Sequence, residues 1–134
     1  MLDPDEWRNR HVHWHAYAEI YCRTAVDHTT RAQRLAGKPA LVLLAPEDAA
    51  NWIASMTRRH AHPSAIRLIG TETGIGHVGD DRHIDHDFVT NLDALCQGNS
   101  VYQDFPRQTD RLHLWVEAFT PDECPDVRHN QEFL

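Results

Sequence analysis

Two hydrophobic spacings divide this chain. Trp7, His11, Trp14, Ala18, Tyr21 and Ala25 step by four, three, four, three and four, the one-sided period of a helix. Asp3-Pro4-Asp5-Glu6 ahead of them is a helix start, with a cap, a first-turn proline and two carboxylates. The pattern predicts a long N-terminal helix. It runs on to Leu35 or yields to a second helix capped by Asp27, and Gly37 and Pro39 end the segment. Residues 40–45, ALVLLA, are apolar throughout, which suits a central parallel strand covered on both faces. Pro46-Glu47-Asp48 opens a helix with Ala49, Ile53, Met56 and His60 inward and Trp52 beside them; Pro63 marks its end. Ile66, Leu68 and Ile69 form a short strand stopped by Gly70. Strand, helix and strand from Ala40 to Ile69 make a right-handed βαβ unit. A pocket would then lie beyond the strand ends, between Pro46 and the glycine-rich loop.

That loop carries Gly70, Gly74, Gly76 and Gly79, which free the backbone for a long turn. Asp80 or Asp81 caps the helix that follows. Ile84, Phe88, Leu92 and Leu95 share one of its faces, and Gly98 sits where it ends. Residues 99–106, with Val101, Tyr102 and Phe105, read as a loop or edge strand, because Pro106 cannot donate to a ladder. Leu112, Leu114, Val116 and Ala118 alternate with His113, Trp115, Glu117 and Phe119, giving a strand with one apolar and one mixed face. Residues 120–134 read as an acidic tail, packed on the surface or partly disordered, with Phe133 tucked back. The expected architecture is a single α/β (or α+β) domain over 1–134. Its one sheet has three to four strands around the βαβ unit, packed by the long N-terminal helix and two further helices.

Composition narrows the partners. The chain has 134 residues, 41% hydrophobic and 25% charged, with a net charge of -7. A core of this size needs no disulfide or structural metal. Lys38 is the only lysine, so free nucleic acid is a poor partner and a basic protein a better one. Cys22, Cys96 and Cys124 are odd in number and form no C-x-x-C, which predicts reduced thiols and a cytoplasmic setting. The start, MLDPDEW, lacks the apolar core of a signal peptide, and no run is long enough to span a membrane. Eleven histidines make surface charge responsive near neutral pH.

Candidate chemistry concentrates between residues 74 and 87. Gly74-Ile75-Gly76-His77-Val78-Gly79 matches G-x-G-x-x-G, whose amides can cradle phosphate at a helix start, although Asp80, Asp81, Asp85 and Asp87 repel an anion. Asp81-Arg82-His83-Ile84-Asp85-His86 reads D-x-H-x-D-H. It resembles the H-x-H-x-D-H ligand motif of the metallo-β-lactamase family, with Asp81 in place of the first histidine. The resemblance covers six residues and implies Asp81 and His83 on one metal and Asp85 and His86 on a second. The chain is short for that family's two-layered sandwich, and no family is assigned from it. His83 and Asp85 with His113 or His129 would instead form the two-histidine, one-carboxylate set of iron oxygenases. The plainest reading makes 80–87 an acidic helix start with His83 and His86 on its wet side.

Further upstream, His11, His13 and His15 read H-x-H-x-H. On a helix, His11 and His15 would adjoin with Glu19 one turn on, a trio able to bind zinc. The chain contains no G-x-S-x-G, P-loop, H-E-x-x-H or EF-hand loop. A Cys–His nucleophile pair is open to any of the cysteines.

These features support three expectations. The first is a small acidic protein-binding or regulatory module, inhibitor- or immunity-like, such as an accessory protein of a mobile element, acting through Asp80, Asp81, Asp85, Asp87 and Trp115. The second is a metal-dependent hydrolase holding zinc or iron at Asp81, His83, Asp85 and His86, with His77 as a further ligand or proton carrier. The third is a nucleotide-binding domain using the loop from Gly74 to Gly79.

Overall fold

The structure, a computed structural model, describes residues 3–22, 29–60, 80–107 and 109–124, and the backbone alone at 65–67 and 75–77. The elements run α1 (Glu6–Asn9), β1 (His13–Cys22), α2 (Arg31–Ala36), β2 (Leu41–Leu43), α3 (Pro46–His60), β3 (Ala65–Arg67), β4 (Ile75–His77), α4 (Asp81–Cys96), β5 (Val101–Pro106) and β6 (Asp110–Phe119). A four-stranded antiparallel sheet has the order β2-β1-β6-β5, and β3 and β4 pair as a separate antiparallel hairpin. The class is α+β.

The expected long N-terminal helix is the main correction. Helix α1 covers four residues. His11, at φ 57, then turns the chain into the longest strand pairing in the sheet, from His13 opposite Phe119 to Cys22 opposite Asp110. The reason lies in the residues. Val12, Trp14, Ala16, Ala18, Ile20 and Cys22 alternate with His13, His15, Tyr17, Glu19 and Tyr21. Period two puts every apolar residue of that set on one face, and aromatic and β-branched side chains fit the pleat.

The central βαβ unit is the second correction. Strand β2 pairs antiparallel with β1 at the sheet edge, and β3 lies outside that sheet. An edge position agrees with Leu41 and Leu44, which remain exposed. The expected long glycine turn also differs, because Ile75–His77 pairs with Ala65–Arg67.

The two larger helices follow the sequence. Pro46, Glu47 and Asp48 open α3, which buries Ala49, Ala50, Ile53 and Thr57. The Asp80 carboxylate accepts from the His83 amide at 2.7 Å and caps α4. Gly98, at φ 83, closes α4: its N–H donates to Leu95 O and the Asn99 N–H to Ala94 O, a Schellman end. A Cβ at Gly98 would lie 2.9 Å from the Arg10 guanidinium, which itself donates to Gln97 O at 2.9 Å. Trp14 Nε1–H donates to Asn99 O at 3.1 Å, which fixes this helix end against β1.

One face of the sheet, with Trp14, Ala16, Leu112, Leu114, Val116 and Ala118, packs on Ile53, Ala49 and Leu95 of α3 and α4 as a single apolar core. The other face is chemically different and carries α2 and the turn after β6.

Candidate buried histidine and cysteine site

Period two places His13, His15, Tyr17, Glu19 and Tyr21 on the face of β1 away from the core. Register then sets Phe119, Glu117, Trp115, His113 and Arg111 of β6 opposite them in turn. Tyr102 and Asp104 of β5 continue the rows beside Trp115 and His113. This is the mixed face that the alternation in 112–119 predicts. Helix α2 covers its middle. Thr30 caps α2 with a reciprocal Thr30–Gln33 box, which orients Arg31 and Arg34 toward the sheet.

Arg34 and Glu117 form the centre of the cover. Arg34 Nε–H donates to Glu117 Oε1 at 2.6 Å, and Arg34 Nη2 lies 3.3 Å from Oε2. Both side chains are buried. The Arg34 guanidinium lies 4.4 Å over the Trp115 ring. Arg31 spans to the chain after β6: it donates to Ala118 O at 2.6 Å, pairs with Glu117 and Glu123 at 3.4 Å each, and stacks 4.1 Å over Phe119. Glu123 accepts from the Thr120 N–H at 2.9 Å, and that bond, against the opposing effect of burial and with help from the Thr120 hydroxyl and Arg31, holds its carboxyl below the ordinary range. These bonds fold residues 120–124 back onto the sheet.

That turn delivers Cys124. His13, His15 and Cys124 are 0%, 2% and 3% exposed, and one ligand atom from each falls within 4.8 Å of the others. His13 Nε2 and His15 Nε2 lie 3.0 Å apart, and Cys124 Sγ is 3.6 Å from His15 Nε2. Zinc bound tetrahedrally at its usual bond lengths separates two imidazole nitrogens by about 3.3 Å and a nitrogen and a sulfur by about 3.6 Å. The separations of His15 Nε2 from His13 Nε2 and from Cys124 Sγ therefore suit a shared ion. His15 Nδ1 faces the Tyr17 hydroxyl at 3.2 Å, and the His15 ring packs on Phe119 at 4.6 Å. Burial, followed by the charge of Glu117, pushes the Tyr17 phenol up to about 12, so it stays neutral.

A second polar group lies further along the same face. His113 is buried, stacks on Trp115 at 5.4 Å and meets the Tyr102 hydroxyl through Nδ1. The Glu19 carboxylate receives the Tyr21 and Thr29 hydroxyls.

The residues singled out from sequence are distributed otherwise. On α4, Asp81 is exposed and 3.6 Å from Arg58, and Asp85 is exposed. His83 is buried, not on a wet side, with Nε2 2.7 Å from Asp87 Oδ2; His86 Nδ1 is 3.4 Å from Asp87 Oδ1. Burial raises the Asp87 carboxyl, but the bonds and charges of His83 and His86 outweigh it, and the net direction is down. Among the described residues, Asp81, His83, Asp85 and His86 bring no shared group of ligand atoms together. His113 lies on β6, on the sheet face away from α3 and α4. His77 is in β4, where only the backbone is described, and Gly74, Val78, Gly79 and His129 lie outside the described residues. Trp115 is buried under Arg34. The trio of His11, His15 and Glu19 does not form: His11 is exposed at the turn before β1, and Glu19 lies toward the other end of that strand.

Sequence reasoning had His13 and His15 in view but assigned them to a helix, where alternate residues diverge. As a strand, H-x-H points both imidazoles to one side. No local signal marks Cys124, 109 residues from His15.

Comparison with protein families, with curated proteins and with solved structures finds no match to this chain. No helix among the described residues is long and apolar enough to cross a membrane.

Proposed function

We propose that this is a transition-metal-binding protein, with zinc the best-suited ion and His13, His15 and Cys124 its ligands. The carrying observation is the convergence of two imidazole nitrogens and a thiol within 4.8 Å. Imidazole and thiolate are the donors zinc prefers, and a set of three leaves one coordination position for water or another group. Bound there, the ion would supply a cross-link between β1 and the turn after β6. The chain's own residues hold the turn at 120–124 against β1 and exclude bulk water. A nucleophilic Cys124–His15 pair is the competing chemistry for the same atoms. The burial of Cys124, at 3% exposed, disfavours it, because a nucleophile must meet its substrate.

Elemental analysis of tag-free protein after reconstitution tests the reading. Stoichiometric zinc is expected, with none retained by the His13→Ala, Cys124→Ala double variant. A wild type that takes up no zinc overturns it.

A second reading, an acidic module for a basic protein partner, is supported by the exposed Asp81 and Asp85 and the net charge of -7. It ranks below the metal reading because its aromatic component, Trp115, is buried. Salt-sensitive recovery of a basic partner is its expected signature; a clean pull-down with none recovered counts against it.

A further inference from the structure

Resting on the metal reading above, we propose that Tyr17 is a positioning residue for the ion: its Oη accepts a hydrogen bond from His15 Nδ1–H and thereby keeps the Nε2 lone pair directed at the metal. A neutral imidazole carries one proton, and whichever nitrogen holds it cannot bind a metal. The partner at the other nitrogen decides which that is. His15 Nε2 faces both His13 Nε2 and Cys124 Sγ, while Nδ1 faces Tyr17 Oη at 3.2 Å. The two sides of the ring therefore have separate tasks.

The sheet enforces this placement. Tyr17 is two residues beyond His15 on the same strand, so both side chains share a face. Pairing of His15 with Glu117 and of Tyr17 with Trp115 fixes the spacing between them. Phe119 against the His15 ring, 4.6 Å between centroids, opposes its rotation. Tyr17 is 6% exposed, so water competes poorly for its hydroxyl. Tyr102 is the internal contrast: it lies on the same face, but its hydroxyl meets His113 and not a ligand.

The test measures zinc affinity by competition with a chromophoric chelator in wild type, Tyr17→Phe and Tyr102→Phe, with circular dichroism of each metal-free protein. Loss of such an outer partner weakens metal binding by roughly 10–100-fold. That loss is expected for Tyr17→Phe with its metal-free fold retained, and Tyr102→Phe should bind as wild type does. Nitrogen NMR of zinc-loaded wild type supplies a readout that does not depend on a variant folding: His15 should carry its proton on Nδ1. Unchanged zinc affinity in Tyr17→Phe overturns the assignment while leaving the metal site standing; a proton on His15 Nε2 overturns the assignment and removes His15 Nε2 from the ligand set as well. A wild type that binds no zinc overturns the metal reading, and this assignment with it.

Discussion

The two faces of the four-stranded sheet are made from the same strands by opposite rules. Toward α3 and α4, the strands present Trp14, Ala16, Leu112, Leu114 and Val116, and burial of apolar surface is the main stabilising contribution. Toward α2, they present His13, His15, Tyr17, His113 and Glu117, all nearly as inaccessible. Buried polar groups cost free energy unless they are matched; here Arg34 and Arg31 meet Glu117, Tyr102 meets His113, and His15 meets both His13 and Tyr17. A face that merely closed the domain could have been built from leucine. The polar face is therefore where a specific chemical task is to be sought, and the apolar face is what keeps it rigid.

Substitutions on each face test the difference between them. The largest effect is expected on the apolar side: Trp14→Ala should cost about 3–5 kcal/mol, read as a lowered urea midpoint. On the polar side, Glu117→Ala strands the buried Arg34 guanidinium and should cost a similar ~3–5 kcal/mol. The paired replacement Arg34→Met with Glu117→Leu should instead be neutral or stabilising by about 1–4 kcal/mol. If the pair of replacements costs as much as Glu117→Ala, the polar face is a stability device and the contrast fails. Zinc at a thousandfold excess over its dissociation constant should add about 4 kcal/mol to wild-type stability. His15→Ala should abolish that increment in a thermal-shift titration.

Smaller effects are expected along α4 and at its C-terminal end. Gly98→Ala places a side chain at φ 83 and 2.9 Å from Arg10, and should cost about 1–2 kcal/mol. The Asp87 carboxyl, held below its ordinary range chiefly by His83 against the opposing effect of burial, contributes stability that is complete above the unfolded carboxylate pKa. It is lost as pH falls through the lower folded value. Acid titration of unfolding should therefore be shallower in Asp87→Asn than in wild type; parallel curves would remove Asp87 from the account.

The sequence made some of this legible, and its failures have physical causes. Helices α3 and α4 announced themselves through caps and a single apolar stripe. Strand β6 did so by clean alternation from Leu112 to Phe119. Strand β1 alternates as well, but its second face is His13, His15, Tyr17, Glu19 and Tyr21. Those residues look solvated until the strand is covered from both sides. Trp7, Trp14 and Tyr21 also happen to fit a helical stripe, and a proline-led acidic start tips the reading toward helix. That one error hid the site, because H-x-H converges only on a strand. The apolar run at 40–45 suggested a central strand, yet only three residues pair and Leu41 stays open to solvent. Cys124 belongs to the site through the Arg31 and Glu123 bonds that fold its turn back, which no spacing in the chain encodes.

Strand β1 has a final consequence. Odd-numbered side chains from His13 to Tyr21 carry the candidate chemistry, and even-numbered ones from Trp14 to Ala16 anchor the core. A slip of one residue against β6 would send the imidazoles into the oil and the indole toward the arginines. Misaligned pairings are thus penalised twice, once on each side of the sheet. The spacing of the two imidazole donors is inherited from the same alignment that assembles the interior, while the third donor, Cys124, depends on the turn at 120–124.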